Sequence, residues 1–225
     1  MKVSIVLGFF LLLFLTSFMP GEDPSFKGGS QGLRNFINEN LIYPHYSRQN
    51  CIQGTIEVSF RLGSAGVVKE ARVSRGFGID LDDEALRLIK LTSGNWRIPV
   101  EYDTTSTITI PINFSLRNLN CWKSEAEVKA AIDAYKAQQF LSDAVVTYYE
   151  NKDKGGYDEA AEQKIAQLKE QLGYNDEYIG RIIDQAKEKI EKGDKEGACQ
   201  DLQFVKKIGS DRANKLINEN CQGVN

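Results

Sequence analysis

The chain has 225 residues, of which 41% are hydrophobic and 26% are charged, and its formal net charge is -3. This length is enough for one large domain or two small ones, and the hydrophobic share is enough to form a core. An acidic balance without a basic run excludes phosphate-driven binding, so no nucleic-acid partner is expected. His45 is the single histidine, which excludes HExxH metalloproteases and multi-histidine metal sites. We therefore expect no metal, no cofactor and no catalytic residue.

The first 21 residues are predicted to be a signal peptide or an N-terminal anchor. Lys2 precedes an apolar stretch over 3–19, and Pro20 begins a polar, helix-breaking exit. This layout is typical of a secretory signal. No A-x-A triplet precedes Pro20, and a stretch of about 17 residues is near the minimum for a bilayer, so an uncleaved membrane anchor is the alternative. Either way, the rest of the chain is expected to be exported.

Residues 26–118 mix helical and strand periodicities and are predicted to form an α+β domain. Ser30 is expected to cap a first helix, and a second helix is expected after Asp80, because the acidic residues of its first turn suit the helix dipole. Alternating hydrophobic residues predict strands over 55–62, 67–73 and 107–116. These elements make a small antiparallel three-stranded sheet with two helices.

Residues 121–225 show no strand pattern and are predicted to form an all-α domain of stacked hairpins, similar to a short helical repeat array. Ser124 and Glu127 have the spacing of a capping box that opens a helix. Three glycines are expected to end helices and three polar residues to cap the following ones: Gly173, Gly193, Gly209, Asn175, Asp194 and Ser210. The tyrosines are expected either to line a groove or to pack between helices: Tyr148, Tyr149, Tyr157, Tyr174 and Tyr178. Trp122 is either an interface anchor or a residue packed between the domains.

Export makes disulfides the first interpretation of the four cysteines. Cys199 lies near the start of one predicted helix and Cys221 at the end of the next, which are neighbouring positions in an antiparallel hairpin. A Cys199–Cys221 bridge is therefore preferred, and a Cys51–Cys121 bridge follows only by elimination. Four unpaired, buried thiols are the alternative.

Residues 26–117 contain an ordered set of motif positions: Gly28, Gly29, Tyr43, Pro44, Gly54, Trp96 and Pro99, followed by the strand Ile110 to Phe114. In this order and spacing, they resemble the TonB C-terminal domain family. The resemblance implies a periplasmic, non-enzymatic domain that captures a segment of an envelope protein as an added strand. An outer-membrane TonB-dependent receptor is the implied partner, and a part in transmembrane transport is the implied role.

The resemblance places the accepting edge at residues 106–116. The partner-binding positions on this edge are Thr107, Thr109, Pro111, Asn113 and Ser115. Pro111 contributes no N–H, which fits an edge strand rather than a central one. The alternative is a structural adaptor whose edge is permanently occupied, by a second copy in a homodimer or by residues 22–27, while the helical domain binds the partner.

Two further patterns complete the expectations. Residues 20–25, which link the apolar stretch to Phe26, extend at most about 20 Å. The resemblance implies that a force-transmitting transducer needs a much longer linker between its membrane anchor and this domain, so we expect a reused TonB-like module rather than a complete transducer. Gly28 to Gly32 match G-x-S-x-G, which makes a hydrolase the third hypothesis. No strand is predicted before Ser30 within the exported part, and Glu39 is the one acidic residue between Ser30 and His45.

Overall fold

The computed structural model describes residues 23–117, 121–155 and 158–223. The export segment predicted over 1–21 and Tyr157 lie outside the described residues. Two hydrophobic cores organise the described chain, one beneath a small sheet and one among the C-terminal helices. None of the helices described is both long and apolar enough to span a bilayer.

Over residues 23–117, the first unit contains five strands and three helices: β1 (Ser25–Phe26), α1 (Gly29–Asn40), α2 (His45–Gln49), β2 (Gly54–Leu62), β3 (Val68–Arg75), α3 (Asp80–Leu91), β4 (Trp96–Arg97) and β5 (Thr107–Phe114). The main sheet is antiparallel with the order β3-β2-β5. The predicted α+β class with a small antiparallel sheet is confirmed. The short helix α2 and the antiparallel β1–β4 pair were not predicted, because segments of five and two residues carry no readable periodicity.

The core of this unit lies between the sheet and α3. Alternation along β2 directs Ile56, Val58 and Phe60 inward, where each is at most 1% exposed, in agreement with the period of a strand. Trp96 is also a core residue. Its ring lies 5.4 Å from the Phe26 ring and 5.6 Å from the Phe60 ring between centroids, so β1 is held on the core by aromatic packing as well as by pairing.

Helix α1 begins earlier than the sequence predicts. Gly28 is its N-cap, with φ of 83°, and no side chain caps the helix. The predicted capping role of Ser30 is therefore wrong, because Gly28 adopts the left-handed conformation that lets the chain enter the helix before Ser30 is reached. Segment 25–26 pairs with β4, not with β5 as the strand-return alternative expected.

In the described parts of 121–223, the second unit contains five α-helices and one 3₁₀ turn: α4 (Glu125–Asp153), α5 (Glu159–Gln171), α6 (Asp176–Glu191), α7 (Lys195–Lys207), the turn Asp211–Ala213 and α8 (Asn214–Asn220). Ser124 and Glu127 form the predicted capping box at the start of α4. The side chains of Asn175, Asp194 and Ser210 accept backbone N–H groups at the next helix starts, as predicted. Short turns and strong caps therefore define this half of the chain.

Helix α4 takes part in both cores. Val128 and Ile132 in its first half pack on the sheet unit, whereas Val145 and Tyr149 in its second half pack among the helices. Its 29 residues correspond to about 44 Å, so one rigid element joins the two units. Trp122, just before α4, is 83% exposed and does not pack between them. Its role as an interface anchor stays a prediction.

The four cysteines differ in state. Cys199 and Cys221 form a disulfide with a Cα–Cα distance of 5.6 Å. Cys51 and Cys121 are free thiols, and their sulfurs lie close enough to share a hydrogen bond. The predicted Cys51–Cys121 bridge is thus not formed, because elimination supplies no geometric constraint. Cys51 is held in a turn with φ of 53° immediately before β2.

Candidate functional site: the open edge of strand β5

Strand β5 is an edge strand over its whole length. It pairs with β2 through an unbroken antiparallel register from Gly54–Phe114 to Arg61–Thr107. Among the residues described, no strand pairs with its other side. An edge of this kind leaves backbone donors and acceptors available to an incoming chain.

Pro111 identifies which backbone groups face outward. Residues of an antiparallel pair alternate between hydrogen-bonded and non-hydrogen-bonded positions. Pro111 has no N–H and is opposite Glu57 in the continuous register, so it occupies a non-hydrogen-bonded position toward β2. The same alternation directs the N–H and C=O groups of Thr107, Thr109 and Asn113 to the open side, and Pro111 interrupts that row of donors.

The side chains at the expected binding positions lie on the polar, outer face of the sheet. Thr107, Thr109, Pro111, Asn113 and Ser115 are all exposed. The Thr109 hydroxyl is 2.8 Å from the Ser59 hydroxyl, and the Thr55 hydroxyl donates to Asn113 Oδ1 at 3.4 Å. These cross-strand contacts support β5 from β2. Ser115 lies just after the last residue of the strand.

The opposite edge of the sheet, formed by β3, differs in chemistry and shape. β3 carries Lys69, Glu70, Arg72 and Arg75, and its register with β2 is interrupted twice. Charged side chains and bulges are the features that discourage edge-to-edge pairing. β5 has no charged residue and no register shift, so it is the sheet edge better suited to accept a strand.

A groove of about 680 Å³ lies beside the first half of β5. Its apolar walls include Phe26, Leu33, Tyr102 and the partly exposed inner-face residue Ile108. A strand placed along β5 would direct alternate side chains toward this groove. The groove has no signature in the sequence, because its walls come from distant segments of the chain and only the Ile108 side belongs to a readable alternation.

The rim of this groove is acidic. Glu101 and Asp103 lie on the loop that leads into β5. Asp103 accepts hydrogen bonds from the Thr105 hydroxyl at 2.7 Å and from the Thr105 N–H at 2.9 Å. These bonds hold the pKa of Asp103 below its usual value, so it is an anion at neutral pH.

Several of the expected motif residues build the framework behind the edge. The Tyr43 hydroxyl donates to Ile52 O at 2.6 Å, and its ring packs edge-on against Phe114 with centroids 5.8 Å apart. Burial raises the pKa of Tyr43, which keeps its hydroxyl a donor. Gly54 has φ of 149°, and a Cβ there would approach the Phe77 ring to 2.8 Å. Pro44 is buried at the start of α2.

The remaining motif residues border the groove or the loop after it. Gly28 and Gly29 both have positive φ at the start of α1, and Gly29 and Trp96 line the groove. Pro99 lies in the loop between β4 and β5, where its carbonyl accepts the Tyr102 N–H at 3.1 Å. These residues therefore shape the entrance beside β5 rather than the edge itself.

The residues of the hydrolase hypothesis are not brought together. Ser30 lines the groove beside β5, whereas His45 lines a separate cleft between the two units. Within the described part of the chain, no group of histidine, cysteine, aspartate and glutamate residues has the arrangement of a metal site. The geometry offers backbone recognition at an edge, bordered by an apolar groove with an acidic rim.

The fold and this edge define a class: a small α+β module whose uncharged edge strand is open to another chain. The comparisons with known proteins concern the same part of the molecule. Residues 39–116 match the family of the Gram-negative bacterial TonB protein C-terminal. The resemblance of this region to the TonB C-terminal domain is thereby confirmed, and the matched region ends just before the helical unit.

One curated relative and one solved structure are similar to this chain. Protein TonB of Pasteurella multocida (strain Pm70) is 28% identical over 86 residues, which cover 38% of this chain and 33% of that protein. The chain therefore spans a third of the length of this relative. The solution structure of the Helicobacter pylori TonB C-terminal domain is 26% identical, covers 39% of this chain and 92% of that chain, and has a TM-score of 0.33.

Proposed function

We propose that this protein is a non-enzymatic binding protein of the periplasm that captures an extended segment of a cell-envelope protein along β5. The captured segment extends the sheet by strand addition. An outer-membrane TonB-dependent receptor is the first candidate partner, which would link the protein to TonB-dependent transport. The match of residues 39–116 to the TonB C-terminal family supports this assignment.

The observation that carries the proposal is the contrast between the two edges of the sheet. The β5 edge is regular and uncharged, whereas the β3 edge is charged and bulged. The outward-facing N–H groups of β5 are interrupted at Pro111, and this gap favours one register for the added strand. Its side chains would meet the groove beside Ile108 on one face and water on the other.

The decisive experiment is in-cell photo-crosslinking from β5. A photoreactive amino acid at Thr109 is expected to give adducts with an envelope protein, identified by mass spectrometry. The same amino acid at Arg72 on β3 is the control and is expected to give none. Adducts between two copies of the chain, or none from Thr109, would contradict the proposal. The first of these results would instead support the self-paired adaptor.

A backbone substitution tests the strand-addition mechanism itself. Asn113→Pro removes one outward N–H, and we expect the crosslinked adduct to be lost at a stability cost of about 1–3 kcal/mol. Asn113→Ala is the matched control, because it removes the same side chain and keeps the N–H. Adduct yields that fall equally in both variants would show that the side chain, not the backbone, is recognised.

The periplasmic location has its own test. Fractionation by osmotic shock, followed by mass measurement of the mature chain, separates a cleaved signal from a retained anchor. We expect release of a chain lacking residues 1–21. Retention with the inner membrane would support the anchored alternative, and recovery with the cytoplasm would contradict export.

A further inference from the structure

A cleft of about 1680 Å³ separates the sheet unit from the helical unit. It lies between the α2–α3 side of the first unit and helices α4, α6 and α7 of the second. The volume exceeds the roughly 300–1,000 Å³ usual for small-molecule sites. The cleft is distinct from the groove beside β5, and the strand-addition proposal does not use it.

Two pairs of tyrosines form aromatic walls in this cleft. Tyr46 and Tyr135 have ring centroids 4.9 Å apart, and Tyr174 and Tyr178 are stacked at 4.9 Å. Three of the four hydroxyls have partners. The Tyr46 hydroxyl donates to Ala131 O, the Tyr174 hydroxyl donates to Ser142 Oγ, and the Tyr178 hydroxyl interacts with that of Tyr174. Among the residues described, the Tyr135 hydroxyl has no hydrogen-bond partner, although its ring lines the cleft.

These rings are suited to cations. The guanidinium carbon of Arg181 already lies 5.7 Å from the centre of the Tyr178 ring. A positive charge over an aromatic face is attracted by the negative centre of that face. Four tyrosines at the same cleft therefore offer further faces and edges for a positively charged side chain with a long apolar stem.

The charge of the walls points in the same direction. Among the lining residues that the structure describes, ten are acidic and six are basic. Most of these charges already belong to ion pairs: Arg87 with Glu84 and Asp194, Lys189 with Asp201, Lys90 with Glu196, Arg181 with Glu177, Lys187 with Asp184 and Lys192 with Glu188. Within the described part of the chain, the acidic lining residues that have no ion-pair partner are Asp80, Asp83 and Asp143. The negative charge available to a ligand is therefore limited to these three carboxylates.

Asp83 is the clearest free group. Its carboxylate is exposed in the cleft and has no ion-pair partner within the described part of the chain. Partial desolvation, and then the nearby Asp82 and Asp80, raise the pKa of Asp83. Burial, Asp80 and Asp83 in turn raise the pKa of Tyr135. The α3 side of the cleft is therefore a region of negative potential beside aromatic rings.

The other end of the cleft has a different charge. His45 lies there with Arg48 and Arg181, and burial followed by these two arginines lowers the pKa of His45. His45 is consequently neutral at physiological pH, and the negative character is concentrated near Asp80 and Asp83. A ligand with one basic group fits at the α3 side.

We propose that the cleft binds a basic, extended polypeptide segment, with a Lys or Arg side chain packed on Tyr135 and its charge directed to Asp83. The size of the cleft favours a polypeptide over a small organic cation. The unpaired carboxylates at the α3 side disfavour an anionic ligand such as nucleic acid there. The helical unit thereby contributes Tyr135 to a second binding site, opposite Asp83 of the sheet unit.

The test measures binding of a fluorescein-labelled Ser-Lys-Ser-Lys-Ser-Lys-Ser peptide to the purified full chain by fluorescence anisotropy at low ionic strength. The reference peptide has glutamate in place of lysine. We expect the lysine peptide to bind and the glutamate peptide not to bind. Asp83→Asn is expected to weaken binding about fivefold, and Tyr135→Leu at least as much. Circular dichroism checks that each variant is folded.

Asp133→Asn is the matched control. It makes the same change in net charge on an exposed part of α4 outside the cleft, and it should leave binding unchanged. Equal losses in both aspartate variants would show a response to net charge alone and overturn the proposal. Spermidine binding tightly in the cleft while the peptide fails to bind would overturn the polypeptide assignment.

The two binding sites are separated by one further variant. Asn113→Pro alters the β5 edge and should not change binding of the lysine peptide. Loss of peptide binding in a folded Asn113→Pro variant would place the peptide on β5 and refute the cleft proposal. Failure of strand addition at β5 leaves the cleft proposal untouched.

Discussion

Arg87 and Asp194 form a buried ion pair that joins the two units, with Nη1 and Oδ2 2.7 Å apart. Both are nearly inaccessible, at 8% and 3% exposure. Arg87 also donates to both carboxylate oxygens of Glu84 and to Asn40 O. The other Asp194 oxygen accepts the Gly197 N–H at 2.9 Å and caps α7. One carboxylate therefore serves both an interface and a helix start.

Replacing Asp194 should separate these two contributions. Asp194→Ala removes the cap and leaves Arg87 buried with one fewer partner, and we expect a loss of about 3–5 kcal/mol in the free energy of unfolding. Asp194→Ser retains a capping oxygen, so its loss in the free energy of unfolding should be smaller than that of Asp194→Ala by about 1 kcal/mol. Urea unfolding measures both values. Equal costs would show that the cap contributes nothing.

The exposed ion pair at the same interface supplies the comparison. Lys90 and Glu196 lie 3.4 Å apart and are both about half exposed. Glu196→Ala is expected to cost at most about 0.5 kcal/mol, because exposed ion pairs contribute little. A cost similar to that of Asp194→Ala would contradict the role assigned to burial.

Phe26 should be essential to the sheet unit although it precedes the matched family region. Its ring is 7% exposed and packs against Phe36 and Trp96. Phe26→Ala is expected to destabilise the full chain by about 3–4 kcal/mol through lost burial and the cavity that remains. Thermal unfolding followed by tryptophan fluorescence reports the change. The exposed Phe140, at 78%, is the control, and Phe140→Ala should have little effect.

The free thiols of Cys51 and Cys121 should form a disulfide when an oxidant is supplied. Their sulfurs are close enough for a hydrogen bond, so little movement of the chain is needed. Peptide mapping under non-reducing conditions is expected to recover a cross-linked Cys51–Cys121 peptide beside the native Cys199–Cys221 peptide. Bridges between separate molecules instead would show that the two thiols do not meet in solution.

Asp83 should reduce stability at neutral pH. Because its pKa is raised in the folded state, the stability linked to its protonated form is present below the ordinary value of 3.8 and is lost as pH rises through the raised pKa. Asp83→Asn should therefore raise stability at neutral pH, by at most about 0.5 kcal/mol because the carboxylate is open to water. The gain should vanish below pH 3.8.

Asp133→Asn is again the control for this measurement. The hydrogen bond from Lys129 lowers the pKa of Asp133, so its linkage has the opposite sign and no gain is expected at neutral pH. Melting curves of both variants and the natural chain across pH separate the two cases. An Asp83→Asn variant less stable than the natural chain at neutral pH would contradict the sign assigned to Asp83.

Patterns between near neighbours in the chain predicted much of the fold. Alternation in β2 and β5, the capping box at Ser124 and the helix ends near Gly173 and Gly193 all agree with the structure. Each depends on contacts within a few residues, where backbone geometry dictates the spacing. The same local signals, with the TonB-like motif, were enough to identify the α+β class.

Relationships between distant segments were decided by tertiary structure alone. The sequence by itself determined that β5 is an edge strand, through Pro111, but not that its neighbour is β2 with a groove beside Ile108. It indicated Tyr178 without showing that Tyr178 and Tyr135 share a cleft with Asp83. The Arg87–Asp194 pair, 107 positions apart, has no local signature, because ion pairing depends on proximity in space and packing sets that proximity only once both cores have formed.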